Sequence, residues 1–171
     1  MIRHKTTGSV ILDSESEALQ YASLSGADLR HADLTGANLV GADLGHADLR
    51  DSALNGADLS YCDLTAVKAA GSDLRGANLC TAGLALADLS DANLEGSFLY
   101  GADLIGACLR KANLEGAWLG GADLDEADLR EARLNNATYD RATRWPDGFR
   151  PELHGAVLID DAIVSESSTL V

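Results

Sequence analysis

Seven residues of this 171-residue chain have side chains suited to metal or nucleophilic chemistry: His4, His31, His46 and His154, with Cys62, Cys80 and Cys108. A metal centre gathers three or four such ligands, and its sequence signature is close pairs of them. The three cysteines show no such spacing, and three cannot all pair. Carboxylates are plentiful, with 27 Asp and Glu against 13 Lys and Arg. They form no Ser/His/Asp arrangement with a pocket to hold it. The glycines are spread along the chain and make no phosphate-cradling loop. No catalytic, cofactor-binding or metal-binding residue is predicted, and the chain is not expected to be an enzyme. The formal net charge of -14 argues against a direct grip on nucleic-acid phosphates. The chemistry that remains is that of surfaces.

What positions these side chains is a repeat. Leu recurs every five residues from Leu19 to Leu64 and again from Leu74 to Leu134, with only Ala69 breaking the series. Two residues earlier stands a small residue, usually Ala, from Ala22 onward to Ala142. One residue earlier stands Asp or Asn, as at Asp28, Asn38 and Asp48. Two residues after the Leu, Gly is frequent, as at Gly26, Gly36 and Gly76. The unit reads A-[D/N]-L-x-x. A period of five fits neither a continuous helix nor a continuous strand; it fits a chain that turns at every unit. The small residue and the Leu, two apart, share one side of a short extended segment. Gly then supplies the positive φ of a type II turn. Where His31, His46, Asp51, Leu86 or Lys111 fills that slot, a turn without positive φ is expected. Val67 adds carbons in the unit where Ala69 removes them, which reads as volume conservation within one layer.

These units closely resemble the pentapeptide-repeat family, a resemblance that spans about residues 18 to 143. It implies an all-β fold, a right-handed quadrilateral β-helix in which four units make one square coil. The Leu and the small residue then point inward, in about six coils and a rod roughly 30 Å long at the usual strand spacing. Bacterial members commonly end on a Trp-Pro-x-Gly-Phe segment, matched here by Trp145, Pro146, Gly148 and Phe149. The expected organisation is an N-terminal cap over 1-17, the β-helix over 18-143, a C-terminal cap over 144-164 and a disordered tail over 165-171. A hairpin of Ile2 to Lys5 with Val10 to Leu12 and a helical turn capped by Ser14 and Glu17 would close the first coil. Trp145, Phe149 and Leu153 would close the last, and Gly155 to Val164 would add one extended piece.

Residues 20 apart then stack, so the sequence folds onto four faces. The first is acidic, with Asp43, Asp63, Asp103, Asp123, Asp125 and Glu126 and no Lys or Arg. The second is mixed: Asp28, Asp48, Asp88 and Asp128 lie beside Arg30, Arg50, Arg110 and Arg130. The third is mostly Gly, Asn and scattered charge. The fourth is nearly uncharged and exposes Val40, Tyr61, Phe98, Tyr100 and Trp118, with the Phe98 and Trp118 rings expected about 4.8 Å apart. His31 and His46 fall on different faces, and Cys62 falls inside. Eleven of the 27 acidic residues occupy the slot before the Leu, where Asp suits a turn. Much of the charge is therefore set by the repeat.

The function expected is that of a non-enzymatic protein-interaction scaffold, with an unknown protein partner or a second copy of the chain on the aromatic face. The alternative implied by the resemblance is an acidic DNA mimic that binds a type II topoisomerase, DNA gyrase, as the quinolone-resistance members do. This chain departs from those members in its nearly uniform Leu centre and its uninterrupted repeats. No apolar run approaches the roughly 20 residues that span a bilayer, so no membrane contact and a cytoplasmic location are expected.

Overall fold

The computed structural model describes residues 2–4, 10–12 and 19–159. From residue 23 to residue 138 it is a four-sided β-helix. Parallel bridges join each residue before a Leu to its equivalent 20 residues on, as in Ser23 to Asp43, Asp28 to Asp48, Asn38 to Asp58 and Phe98 to Trp118. Leu and Ala form one continuous core. Leu44, Leu54, Leu79, Leu94, Leu109 and Leu124 are fully buried, as are Ala47, Ala57 and Ala107. Val67 and Ala69 are buried together, as volume compensation requires.

Why the unit has this composition follows from its five backbone N–H groups. Asp43 N donates to Ala22 O at 2.9 Å, Leu44 N to Asp63 O at 2.8 Å, and His46 N to Thr65 O at 2.9 Å. Ala47 N closes the turn on Leu44 O at 2.9 Å. The one donor left, Gly45 N, bonds the Asp43 side chain at 3.1 Å. The Asp or Asn before each Leu thus satisfies a backbone group that the coil ladder does not reach. The same bond recurs at Asn38, Asp63, Asn78, Asp103 and Asn113.

The turns differ from expectation. His31, His46, Asp51, Leu86 and Lys111 all have φ between 56° and 60°, like the glycines in equivalent slots. The residue before each has negative φ, so these too are type II turns. The ladder explains it. His31 N bonds Arg50 O and Lys111 N bonds Arg130 O, both at 3.0 Å. A turn of another type would rotate that peptide and break its bond to the next coil. Left-handed backbone costs a non-glycine residue about 1–2 kcal/mol, comparable to the bond and to the register it preserves.

One residue is inserted in the last turn, where unbroken phase was expected. Asp123 bridges Arg144, 21 residues on. Thr143, not Ala142, fills the inward slot; Ala142 is exposed. Asp140 accommodates the insertion. Its Oδ1 accepts from Gly121 N at 2.9 Å, in place of the missing backbone carbonyl, and from Ala142 N and Thr143 N. Burial pushes the Asp140 carboxyl up, but these donors outweigh it and hold the group below the usual carboxylate range.

At the N-terminal end, β1 (Ile2–His4) pairs antiparallel with β2 (Val10–Leu12) and with β3 (Ala32–Asp33). The Ser14 and Glu17 helical turn and the tail over 165-171 lie outside the described residues. At the other end, β4 (Thr138–Tyr139) pairs in parallel with β5 (Val157–Leu158). Trp145 stacks on Phe149, Tyr139 meets Trp145 edge-on, and Phe149 stacks on His154. Leu153 is a correction: it is 72% exposed. It belongs to a short 3-10 helix, Pro151–His154. That turn buries Pro151 and sends Leu153 outward, so His154 takes the place beside Phe149. Among the described residues no helix is long and apolar enough to cross a membrane.

Candidate interaction faces

The interior offers no site. Cys62 is buried, with Sγ 2.9 Å from Leu39 O. Burial, partly offset by backbone contacts, pushes its thiol up to about 11, far from a reactive thiolate. Among the described residues no group of His, Cys, Asp or Glu could hold a metal ion. His31 lies 3.9 Å from Asp51, and His154 belongs to the cap stack. An open groove of about 410 Å³ lies where the cap meets the second face, between Ala127–Glu131 and Pro146–Phe149.

The second face carries the expected pairs at Asp28 with Arg30, Asp48 with Arg50 and Asp128 with Arg130, while Asp88 is bonded by Ser90 instead. Arg30 and Arg130 each make a two-bond fork with Asp28 and Asp128. Those arginine hydrogen bonds hold both carboxyls down at about 2. All four residues are exposed or nearly so, which limits the contribution to stability.

The first face is less uniformly acidic than the sequence implied. The inserted residue swings Arg144 onto it, where the guanidinium bonds Asp123 at 2.6 Å and Asp125 at 2.8 Å. That overturns the expectation of a face without cations. Leu86, 66% exposed, stands in the coil between Asp63 and Asp103, and Ile105 stands beside Asp103. Asp63 is held low by the Thr65 hydroxyl and amide, with a further contribution from His46.

The fourth face gathers the aromatic residues. Phe98 is 43% exposed, Tyr100 61%, Trp118 52% and Tyr61 69%; Val40 is half-buried. The Phe98 and Trp118 rings stack at 28° with centroids 6.2 Å apart, wider than the 4.8 Å expected from the strand spacing alone. Tyr100 lies against Gly120, where an added Cβ would sit 3.2 Å from its ring. Phe98 and Trp118 occupy the slot that elsewhere supplies the Asp or Asn acceptor. Both units forgo that side-chain bond and present an apolar ring instead. Tyr21, on the same corner as Tyr61, was missed in the sequence although it stands 40 residues earlier in the same column. The face's acidic group, Asp58, is tied down by Ser60 and Asn78.

The family model for pentapeptide repeats matches in eight copies, over residues 18–51, 47–84, 82–117 and 107–138. No curated protein matches. Among solved structures, a pentapeptide repeat protein of Nostoc PCC 7120 is 33% identical, over 71% of this chain and 84% of that one, with a TM-score of 0.47. A pentapeptide repeat protein of the Arabidopsis thaliana thylakoid lumen is 22% identical, over 82% and 77%, with a TM-score of 0.48. The plasmid-mediated fluoroquinolone resistance protein QnrB1 is 17% identical, over 81% and 85%, with a TM-score of 0.45.

Proposed function

The chain belongs to the pentapeptide-repeat family of right-handed quadrilateral β-helices, and from that premise we propose that it is a non-enzymatic interaction scaffold whose fourth face docks a protein. The observation that carries this is a contrast within two adjacent coils. Leu99 and Leu119 are fully buried in the core. Phe98, Tyr100 and Trp118, beside them in sequence, are held out to solvent by the same backbone. A soluble protein rarely exposes a contiguous apolar patch unless it covers something.

The acidic first face supports the alternative less well. Arg144 pairs with Asp123 and Asp125 at its C-terminal end, and the apolar Leu86 stands between Asp63 and Asp103. A mimic of DNA presents an unbroken line of negative charge.

The test compares proteins captured by the wild type and by the Phe98→Asp, Trp118→Asn double variant at matched folding, judged by circular dichroism. A partner retained by the first and lost by the second supports the reading. Equal retention removes the fourth face. A gyrase supercoiling assay serves the alternative. No inhibition is expected; inhibition relieved by Asn at Asp43, Asp63 and Asp103 would replace the reading.

A further inference from the structure

Resting on that reading, we propose that the occupant of the fourth face is a second copy of this chain, packed with the two rods parallel about a two-fold axis that runs along them. Three features of the structure lead there.

The first is charge. At -14, two copies repel unless they meet on a surface that keeps their carboxylates apart. The central column of the fourth face, Asn38, Asp58, Asn78, Phe98, Trp118 and Thr138, holds one carboxylate, and Ser60 and Asn78 bond it. Arg75 and Glu115, on its leading edge, are drawn toward the third face. Arg75 forks onto Asp73, and Glu115 bonds Arg133 and Asn135.

The second is relief. The two long edges of this face differ. Its trailing edge carries Tyr21, Tyr61 and Tyr100, each more than 60% exposed. Its leading edge carries Gly36, Gly56, Gly76, Gly96 and Gly116 in one column. An added Cβ at any of these five would meet nothing within 4 Å. The rod itself does not demand glycine there, since Lys111, Glu126 and Glu131 occupy the same slot of other turns at the same φ. The leading edge is low where the trailing edge is high.

The third is symmetry. In a face-to-face pair with parallel rods, the two-fold sets the trailing edge of one copy against the leading edge of the other. Tyr61 and Tyr100 then lie over the bare corners near Gly56 and Gly96, and Phe98 and Trp118 meet their own counterparts at the centre. Antiparallel rods would set tyrosine edge against tyrosine edge and leave the glycine edges gaping. The exposed parts of Tyr61, Phe98, Tyr100 and Trp118 come to roughly 450 Å² per copy at about 200 Å² per ring side chain. That is about half of the roughly 800 Å² per partner in a standard interface, and the flat glycine corners and Val40 lie beside it.

The experiment is light scattering on the intact chain across a concentration series, with two matched variants. Gly96→Lys places in the leading edge a residue that the fold already accepts at Lys111. Gly26→Lys makes the same change at an equally open corner of the first face. We expect the wild type and Gly26→Lys at twice the 17.8 kDa of one chain and Gly96→Lys at the monomer mass, with thermal melts of the two variants superimposable in dilute solution, where both are monomers. A monomeric wild type, or equal behaviour of the two variants, overturns the proposal. Orientation is read with Asn38→Cys and Asn78→Cys, each introduced singly beside Cys80→Ser and Cys108→Ser, and a bis-maleimide of about 10 Å, the spacing of facing sheets. Parallel rods cross-link both variants to themselves; antiparallel rods cross-link at most one, which would refute the arrangement. A monomer that still loses a captured partner on Phe98→Asp, Trp118→Asn substitution refutes self-association alone and leaves the scaffold reading standing.

Discussion

Restoring the repeat at its one core irregularity should cost stability when done by halves and almost nothing when done completely. Ala69 stands where every other centre from 19 to 134 is Leu, and Val67 stands where Ala is usual; both are at most 2% exposed. Val67→Ala removes two carbons, about 1.6 kcal/mol of transfer free energy at about 0.8 kcal/mol per methylene, and leaves a void that raises the loss to about 2–3 kcal/mol. Ala69→Leu forces three carbons into a filled layer, at about 1–3 kcal/mol. The double variant regenerates the packing of neighbouring coils and is expected within about 1 kcal/mol of the wild type, a coupling of at least about 2 kcal/mol. Urea unfolding followed by far-ultraviolet circular dichroism measures all four corners of the cycle. Additive losses would show that the two positions do not share a layer, and the volume argument would be wrong.

Other perturbations have equally direct outcomes. Leu94→Asp, like Leu89→Asp, puts an unpartnered carboxylate in the core at a cost of several kcal/mol; a urea midpoint equal to wild type would sink the coil assignment. Ser97 is buried with a hydroxyl that has no hydrogen-bond partner, whereas the Ser72 hydroxyl bonds Ala69 O at 2.7 Å. Ser97→Ala should therefore raise stability by about 1 kcal/mol and Ser72→Ala should not, as equilibrium unfolding will show. The Cys62 thiol is raised to about 11 in the folded chain, so the unfolded chain loses its proton first as pH rises. Its contribution to stability is fully present below about pH 8.5 and is lost as pH climbs toward 11. Thermal melts of wild type and Cys62→Ala should converge or cross over that window only, and Cys62 should resist thiol reagents at pH 8 until urea is added.

The repeat made the coil legible because one period fixes both the inward columns and the 20-residue stacking. The positions of Phe98, Tyr100, Trp118 and Cys62 followed from arithmetic alone. What the arithmetic missed depends on the ladder as a whole. Local propensity argues against positive φ at His31 or Leu86, yet each turn must hand its peptide to the next coil, and the stack overrules the residue. The insertion near Asp140 keeps an Ala at 142, so the letters of the repeat run on unbroken; the 21-residue bridge from Asp123 to Arg144 and the donors converging on the Asp140 carboxylate show the slip. That slip moves Arg144 onto the acidic face, a consequence no column count could give. Leu153 misled because an apolar residue after a repeat looks like a lid, whereas His154 and the Pro151 turn do the covering. The glycine edge was visible in the sequence, but turn geometry alone accounts for each glycine. It becomes a surface feature only where lysine and glutamate are seen to fill the same turn elsewhere.

The most direct measurement of whether the fourth face of this chain closes on a second copy is the solvent access of Trp118. The chain has two tryptophans, and Trp145 is packed in the cap, so Trp145→Phe leaves Trp118 as the sole reporter. Acrylamide quenching of its fluorescence should be strong in dilute solution, where Trp118 is 52% exposed, and should fall several-fold with a blue shift as concentration rises and the faces close. Quenching and emission that stay the same over the whole range would contradict the account.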